Sequence, residues 1–357
     1  MRIRFSLRAR AGLRDFESPR RAAALVEALV AIAVMAFGLL SILSLFILGL
    51  VNMAQANRDE RAAQAATNAS ALAEVMDVRN DPLLFTAPLP NDVFVRPFPG
   101  ASPPDLSTIA NYTGSGYPVY VDPYGLQTGP GRLGQVLAGA ALPFGSPGVA
   151  RRSVSYVVSN PRPAAAIRRW FTLQDDMNFL RDGPATGLPC LPGGIVEREN
   201  RYSWAYLLRR PRLQDRSVVE MSIVVYSGRP ASPAGEVVYA GAPGNPVRLV
   251  ADASSVIVTW NPAAGEEPPP VRPGSWILDA TMVHTTPPPA PANAPFRPDP
   301  HGFFYRVVAV NEVGTLNGYP AVELELQNGI RAGTDEGVLV VMEGAVEVFE
   351  KGPGGRP

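Results

Sequence analysis

Cysteine and histidine are scarce in this chain of 357 residues, which contains one cysteine and two histidines. The single cysteine, Cys190, excludes an intramolecular disulfide and a thiolate metal cluster within one chain. With His284 and His301 as the only imidazoles, a structural zinc site built by one chain is excluded, and a histidine-dependent catalytic site is not expected. The sequence therefore predicts neither a metal nor a cofactor.

An excess of charge of either sign is also absent, because 32 basic and 32 acidic side chains give a formal net charge of zero. Without a positive excess to displace phosphate counterions, no nucleic-acid partner is expected. Proline, by contrast, is abundant, with 38 residues, about twice its usual share. Because proline fixes φ and removes an N–H donor, this content argues against a mostly helical chain and favours strands joined by rigid loops.

Charge is nevertheless concentrated at the N-terminus. Residues 1–22 hold seven arginines against Asp15 and Glu17, which gives 7 − 2 = +5. Directly afterwards, Ala28–Val51 is a run of 24 residues without a charge or a proline. As a helix this run would extend about 36 Å, enough to cross a hydrocarbon core of about 30 Å. Since an arginine-rich flank stays in the cytoplasm, the sequence predicts a single-pass membrane protein whose C-terminal part lies across the membrane.

Around this run the sequence reads RRAAALVEALVAIAVMAFGLLSILSL, and Glu27 lies at the edge of its apolar part. The stretch resembles the class III signal of type IV prepilins and pseudopilins over about residues 20–50. It is most similar to the PilV-type minor pilins. The matching elements are Leu25-Val26-Glu27, Leu29-Val30-Ala31 and Gly38-Leu39-Leu40.

The resemblance implies that a prepilin peptidase removes the basic leader between Ala22 and Ala23, so that Glu27 becomes the fifth residue of the mature chain. The family usually has Gly at the last leader position and Phe or Met at the first mature position, where this chain has Ala22 and Ala23. The resemblance also implies that the new amine of Ala23 pairs with Glu27 of a neighbouring subunit inside an apolar helix bundle. Each charge is costly to bury alone and tolerable as a pair.

The same resemblance implies a structural or assembly subunit of a pilus or type II secretion pseudopilus, and not an enzyme. Its partners would be the prepilin peptidase, other pilins or pseudopilins that contact the N-terminal helix, and the bacterial inner membrane, with the leader cytoplasmic and the head periplasmic. The alternative is a β-rich binding module without a filament role, either anchored by its helix or secreted. A secreted form would use Ala54-Gln55-Ala56 as a signal cleavage site, but an apolar run of 24 residues exceeds the roughly 7–15 of such signals.

One continuous helix is predicted from Ala23 to Arg79, because the chain after the apolar run is rich in alanine and lacks glycine until Pro82 stops it. Within this N-terminal element, 23–81, the part that follows the membrane segment, 52–81, is expected to pack on a globular head. The side chains expected to make that contact are Leu72, Val75 and Met76.

The head is predicted to comprise residues 82–357, where short β-rich runs alternate with loops rich in proline and glycine. Alternation of apolar and charged residues in Val322–Leu326 and Val346–Glu350 is typical of half-buried antiparallel strands. The predicted fold class is therefore α+β, with a long N-terminal transmembrane helix followed by a predominantly antiparallel β head. A division of the head into two halves would fall near 228–244.

Two kinds of segment interrupt the strands of the head. Residues 163–183 predict a helix or paired helical turns, and Pro262–Gly274 and Pro287–Pro300 predict rigid loops. The strands are predicted at Tyr117–Val121, Ser153–Val158, Tyr202–Leu208, Val218–Ser227, Val247–Ala251, Ser255–Trp260, Trp276–Val283, Phe303–Glu312, Ala321–Gln327, Val338–Met342 and Ala345–Phe349.

Several residues of the head resemble parts of active sites without meeting their requirements. Gly129–Gly134 matches G-x-G-x-x-G, but turn-like residues precede it where a dinucleotide site needs a strand. The adjacent pair Asp175 and Asp176 would diverge by about 100° on a helix and would not easily share a cation. These acidic residues are expected to form a solvated face.

The histidines and the cysteine likewise lack catalytic partners. His284 and His301 flank a proline-rich loop without a nucleophile motif. Cys190 has no basic neighbour to activate its thiol, so it is expected either to be inert or to form an intermolecular disulfide. The sequence therefore predicts no catalytic residue, and an unrecognised hydrolase in the head ranks behind both functions above.

Overall fold

The structure, a computed structural model, describes residues 18–81, 84, 118–128, 131–133, 149–173, 178–182, 194–198, 201–209, 218–229, 235–240, 247–249, 253–284, 298–330 and 337–354. Contacts divide the chain into two units, residues 1–60 and 61–357. A long N-terminal apolar helix is followed by mostly antiparallel sheets with a few short helices. The predicted α+β class is confirmed.

Helix α1 extends from Ser18 to Val75, a continuous element of 58 residues. It begins and ends somewhat earlier than the predicted span from Ala23 to Arg79. The helix stops before Asp77, which has a left-handed backbone with φ of 48°. Aspartate adopts this conformation more readily than most residues, and a single 3-10 turn, Val78–Asn80, follows.

The part of α1 that belongs to the second unit packs through a stripe of small side chains. The buried residues are Ala62, Ala65, Ala66, Ala69, Ala73 and Met76, spaced by three or four positions as one helix face requires. Met76 confirms its predicted contact and Leu72 packs partly buried. The contact predicted for Val75 is wrong, since this side chain is 73% exposed and lies about 120° around the helix from Ala69.

Replacing Ala69 with leucine is expected to lower the free energy of unfolding by about 1–3 kcal/mol, because the added atoms have no space in a packed core. Ala69 is fully buried, and its carbonyl accepts a hydrogen bond of 2.6 Å from the hydroxyl of Tyr206. Ala63→Leu is the matched control, since Ala63 is exposed on the same helix and leucine has a helix propensity close to that of alanine. Denaturant unfolding of the detergent-solubilised full chain measures both. Equal stability of the two variants would contradict the packing described here.

Sheet 1 lies next to this helix stripe and has six strands. Their order is β17 (Ala345–Gly354), β7 (Val219–Ser227), β6 (Tyr202–Arg209), β1 (Val119–Val121), β3 (Ala150–Arg151) and β2 (Gly131–Arg132). All neighbours are antiparallel except β1 and β3, which are parallel. The last strand of the chain thus returns to pair with β7 after the chain has formed a second sheet.

Sheet 2 has seven strands, all antiparallel to their neighbours. Their order is β8 (Glu236–Ala240), β16 (Val338–Met342), β11 (Trp276–Asp279), β14 (Phe303–Leu316), β15 (Tyr319–Leu326), β10 (Ser255–Thr259) and β9 (Val247–Leu249). The backbone N–H of Gly337, just before β16, donates to the carbonyl of Val247 in β9 at 2.8 Å. Sheet 2 therefore curls around its own core until its edge strand β9 reaches the start of β16.

Two pairs of strands stand outside these sheets. Strand β4 (Asn178–Asp182) pairs with β5 (Gly194–Arg198), and β12 (Met282–His284) pairs with β13 (Pro298–Pro300). The first pair corrects the prediction of helix throughout 163–183. The second corrects the end of the loop predicted at Pro287–Pro300, whose residues 287–297 lie outside the described residues.

Sheet 1 is buried on both faces. Tyr206 and Ile223 belong to the core that includes the alanine stripe of α1, whereas Leu207 and Val224 pack with Leu278 and other residues of sheet 2. Strands β6 and β7 therefore show long buried runs instead of alternation. The two sheets share this second core. Strand β8 lies within residues 228–244, and the division of the head into two halves near these residues stays a prediction.

The described residues also contain three short α-helices: α2 (Pro123–Thr128), α3 (Ser155–Ser159) and α4 (Ala164–Trp170). Helix α4 agrees with the helical segment predicted from residue 163. Helix α3 replaces the strand predicted at Ser153–Val158, because the carboxylate of Asp81 accepts hydrogen bonds from the backbone N–H and the hydroxyl of Ser155, both at 2.5 Å. A carboxylate at the first turn satisfies N–H groups that the helix leaves unpaired.

Candidate functional site: the N-terminal helix

Residues 26–51 of α1 form a continuous segment that is apolar apart from Glu27 and two serines, and its side chains are all exposed. By length and composition this part of α1 is long and apolar enough to cross a membrane. An apolar surface of this size is not maintained in water, so lipid or other helices are expected to cover it. The structure thus supports a membrane anchor near the N-terminus, as predicted for Ala28–Val51.

Glu27 is exposed at the N-terminal end of this segment. At 100° per residue, Ala31, Val34, Gly38 and Ser41 lie within about 40° of Glu27 around the helix axis. A Cβ added at Gly38 would meet nothing within 4 Å, so this face has room for a neighbouring helix. Small residues on one face allow two helices to approach closely in a membrane.

Ala22 and Ala23, the predicted cleavage site, are the fifth and sixth residues of α1 counted from Ser18. Their side chains and the leader residues 1–17 lie outside the described residues. Residue Ala23 is four positions before Glu27, so the two are one helical turn apart. Cleavage would therefore create a cationic amine on the same helix face as the carboxylate.

The C-terminal end of α1 is fixed to sheet 1 by Arg79. Its Nη1 atom donates to the carbonyl of Val219 at 2.8 Å and to that of Gly352 at 3.0 Å. Burial lowers the pKa of Arg79, an effect opposed by the nearby charge of Glu74. A Cβ at Gly354 would overlap the guanidinium, so the last strand of the chain and the end of the helix are closely packed.

A cluster of four charged side chains is buried between the two sheets. Asp122 is 0% exposed and Arg151 is 1% exposed, and they lie 3.0 Å apart between Oδ1 and Nε. Glu236 approaches Arg151 at 2.5 Å, and Arg229 approaches Asp122 at 2.6 Å and Glu236 at 3.0 Å. Among the described residues, two cations thus lie against two anions, an arrangement that lowers the cost of burying charge.

The surroundings of Asp122 and Arg151 favour the charged form of each side chain. Burial alone would raise the pKa of Asp122, but the charges of Arg151 and Arg229 and the N–H of Gly125, 2.8 Å from Oδ1, hold it below its usual value. For Arg151, burial acts to lower the pKa, and the carboxylates of Asp122 and Glu236 outweigh it. Sequence reasoning missed the cluster because Asp122, Arg151 and the pair Arg229 and Glu236 come from three separate parts of the chain and match no local motif.

The two histidines have different positions. His301 is buried, and its Nδ1 lies 2.7 Å from Oδ2 of Asp279, whose Oδ1 accepts from the N–H of Thr281 at 3.0 Å. His284 belongs to β12, which pairs with β13 just before His301. The side chains of His301 and Asp279 are both buried, so this pair lies in the interior of the head, close to the start of β14.

The remaining candidate motifs lie mostly outside the described residues. Gly131 and Arg132 of the glycine motif form strand β2, whereas Gly129, Gly134, Asp175, Asp176 and Cys190 lie outside the described residues. Among the described residues, no group of three or more His, Cys, Asp or Glu side chains could hold a metal ion.

Comparison with protein-family models, with curated proteins and with solved structures finds no match at any of the three levels. The class of protein that the structure itself defines is therefore a coarse one. It is a chain with one N-terminal helix able to span a membrane, followed by an antiparallel β-sheet domain with a few short helices.

Proposed function

We propose that this chain is a type IV pilin-like subunit, a minor pilin or pseudopilin of the PilV type, which serves as a structural or assembly component of a pilus or a type II secretion pseudopilus. The observation that carries the proposal is the carboxylate of Glu27 at the start of an exposed apolar helix segment. That segment continues without interruption into the alanine stripe that packs on the head.

The physical argument starts from the cost of this carboxylate. An ionised side chain at the edge of a membrane segment is unfavourable, although less so than at the bilayer centre. In a bundle of helices from several subunits, the small residues Ala31, Gly38 and Ser41 on the same helix face as Glu27 would let a neighbouring helix approach closely. The carboxylate would then need a cation, and the described apolar segment, residues 26–51, contains no lysine, arginine or histidine.

Cleavage before Ala23 supplies that cation. The amine of one processed subunit can pair with Glu27 of the next, because two charges that are each costly alone become tolerable together. One such pair per subunit also fixes the axial register of the helices. The proposal therefore requires a prepilin peptidase as a partner, insertion in the inner membrane with the head periplasmic, and other pilins or pseudopilins along the N-terminal helix.

Mass spectrometry of the N-terminus of the membrane-extracted protein tests this proposal most directly. We expect the mature chain to begin at Ala23 when the protein is produced with a prepilin peptidase. Ala22→Gly, which restores the usual residue of the family, is expected to be cleaved at least as completely. Ala54→Leu, which removes the A-x-A triplet, is the control and should leave the result unchanged.

Two other results would instead support the alternative, a β-rich binding module without a filament role. A chain that begins at Asn57 would be a secreted module released after Ala54-Gln55-Ala56. A chain that retains residues 1–22 in the presence of the peptidase would be a permanently anchored one. Either result removes the amine on which the charge pair depends.

A further inference from the structure

The described part of the head carries an arginine patch formed by α3 and α4. Tyr156 and Val158 of α3 are 41% and 60% exposed, and the ring of Tyr156 lies 5.9 Å from that of Trp170 in α4. Three arginines are exposed here: Arg162, in the link between the two helices, and Arg168 and Arg169, in the last turn of α4. The sequence from residue 151 to residue 173 contains no acidic residue, so this surface combines aromatic, apolar and cationic groups.

A second patch, the acidic hairpin, lies on the outer part of β14 and β15. Val308 and Val313 are 55% and 45% exposed, and the carboxylate side chains of the hairpin are Glu312, Glu323 and Glu325. Residues 307–326 contain no lysine, arginine or histidine. Along β14, strand β11 pairs only with Phe303–Arg306, so in the described residues the outer part of β14 pairs with β15 alone.

These two patches hold nearly all the exposed large apolar side chains described in the head. Besides Val75 on α1, those side chains are Tyr156 and Val158 in the first patch and Val308 and Val313 in the second. Exposed apolar side chains grouped with charges of one sign are typical of protein interfaces, in which tyrosine, tryptophan and arginine are enriched.

The patches lie in different layers of the second unit. Helix α3 and helix α4 contribute Val157 and Ile167 to the core on the helix side of sheet 1. Strands β14 and β15 belong to sheet 2, which packs on the other face of sheet 1. Since sheet 1 separates the two layers, a contact between the patches requires two molecules.

We propose that the arginine patch of one copy of this chain docks on the acidic hairpin of a second copy. The charges are opposite, and the apolar residues of each patch would be covered by those of the other. Because the two surfaces differ, the contact is heterologous and can continue from copy to copy as an open chain. The inference goes beyond the proposed function and does not depend on it, because two anchored copies can meet in a membrane without forming a filament.

Cysteine cross-linking between full-length copies tests the contact. One copy carries Val158→Cys and the other Val313→Cys, each with a different tag and with Cys190→Ser as background. After mild oxidation in membranes, we expect a disulfide-linked dimer that carries both tags. Val75→Cys is the matched control, since Val75 is more exposed and belongs to neither patch, and it should not cross-link with Val313→Cys above background.

Charge exchange tests whether the patches recognise each other electrostatically. Arg162→Glu alone and Glu312→Arg alone are each expected to lower the cross-link yield about fivefold, because each replaces an attraction by a repulsion at a partly exposed site. Arg162→Glu on one copy together with Glu312→Arg on the other is expected to restore the yield.

The outcomes separate this inference from the proposed function. Dimers that form only between identical cysteines, an absence of dimers, or a yield unchanged by either charge reversal would overturn the contact. A cross-link that forms in a chain that retains residues 1–22 although the prepilin peptidase is present would support the contact, and the retained leader would contradict the filament role.

Discussion

Asp122→Asn is expected to lower the free energy of unfolding by about 3–5 kcal/mol, because it removes one anion from a buried, balanced cluster and leaves a buried cation without its partner. Asp122 is completely buried and contacts both Arg151 and Arg229. The asparagine side chain also turns an N–H₂ group or a weaker acceptor toward the two guanidinium groups. Denaturant unfolding of the detergent-solubilised full chain at pH 7 measures the loss.

The matched control for this loss is Glu220→Gln. Glu220 forms an ion pair with Arg209 at 2.5 Å, but the side chain of Glu220 is a third exposed. Water compensates a charge at such a position, so the expected cost is about 0–1 kcal/mol. A similar loss in both variants would show that burial between the sheets does not set the energy of the cluster.

The same carboxylate predicts how stability depends on pH. The pKa of Asp122 is held below its ordinary value, so its contribution to stability is fully present above the unfolded pKa of about 3.9. That contribution is lost as the pH falls through the folded pKa. The difference in stability between the wild-type chain and Asp122→Asn is therefore expected to shrink as the pH is lowered below about 4. A difference that stays constant from pH 7 to pH 3 would contradict this account.

Glu27→Ala is expected to leave membrane insertion intact and to reduce incorporation into filaments by about a hundredfold or more. Removal of one partner from a buried ion pair costs about 3–5 kcal/mol, since the amine of the neighbouring subunit is left buried alone, and 1.4 kcal/mol corresponds to a factor of ten. The amount of protein in sheared filaments, compared with the amount in the membrane fraction, measures the effect.

Two further variants make the result for Glu27 specific. Glu27→Gln keeps the size of the side chain and is expected to fail as Glu27→Ala does, because the charge is what the amine requires. Asp59→Asn removes an exposed carboxylate from the same helix outside the apolar segment and is expected to assemble normally. Normal incorporation of Glu27→Ala would refute the charge pair, whatever the N-terminus of the mature protein.

Local patterns in the sequence predict much of this fold. Strand β16 lies at Val338–Met342 as predicted, and β10 lies within the predicted Ser255–Trp260. The long helix is confirmed, since its apolar run and its alanine-rich continuation both favour a helix without help from the rest of the chain. The presence of a helix segment able to span a membrane is predictable for the same reason, because length and hydropathy are properties of one contiguous stretch.

Other features depend on contacts that no local pattern encodes. The residues Ser155–Ser159 form a helix because Asp81, 74 positions earlier, caps it. Residues 178–182 form a strand through pairing with Gly194–Arg198. The face of α1 that packs is set by the alanine stripe, so Val75, the larger apolar residue, remains outside.

The sequence by itself determined the long apolar helix, the position of Glu27 in it and the antiparallel character of the head, because each of these follows from residues that are neighbours in the chain. Only the tertiary structure decided that sheet 1 is covered on both faces and that Asp122, Arg151, Arg229 and Glu236 meet between the sheets. The tertiary structure also decided that the arginine patch and the acidic hairpin lie in different layers of the second unit. The reason is that burial and charge pairing are set by distances in space, and the charge pairs of this cluster join residues that are up to 107 positions apart in the chain.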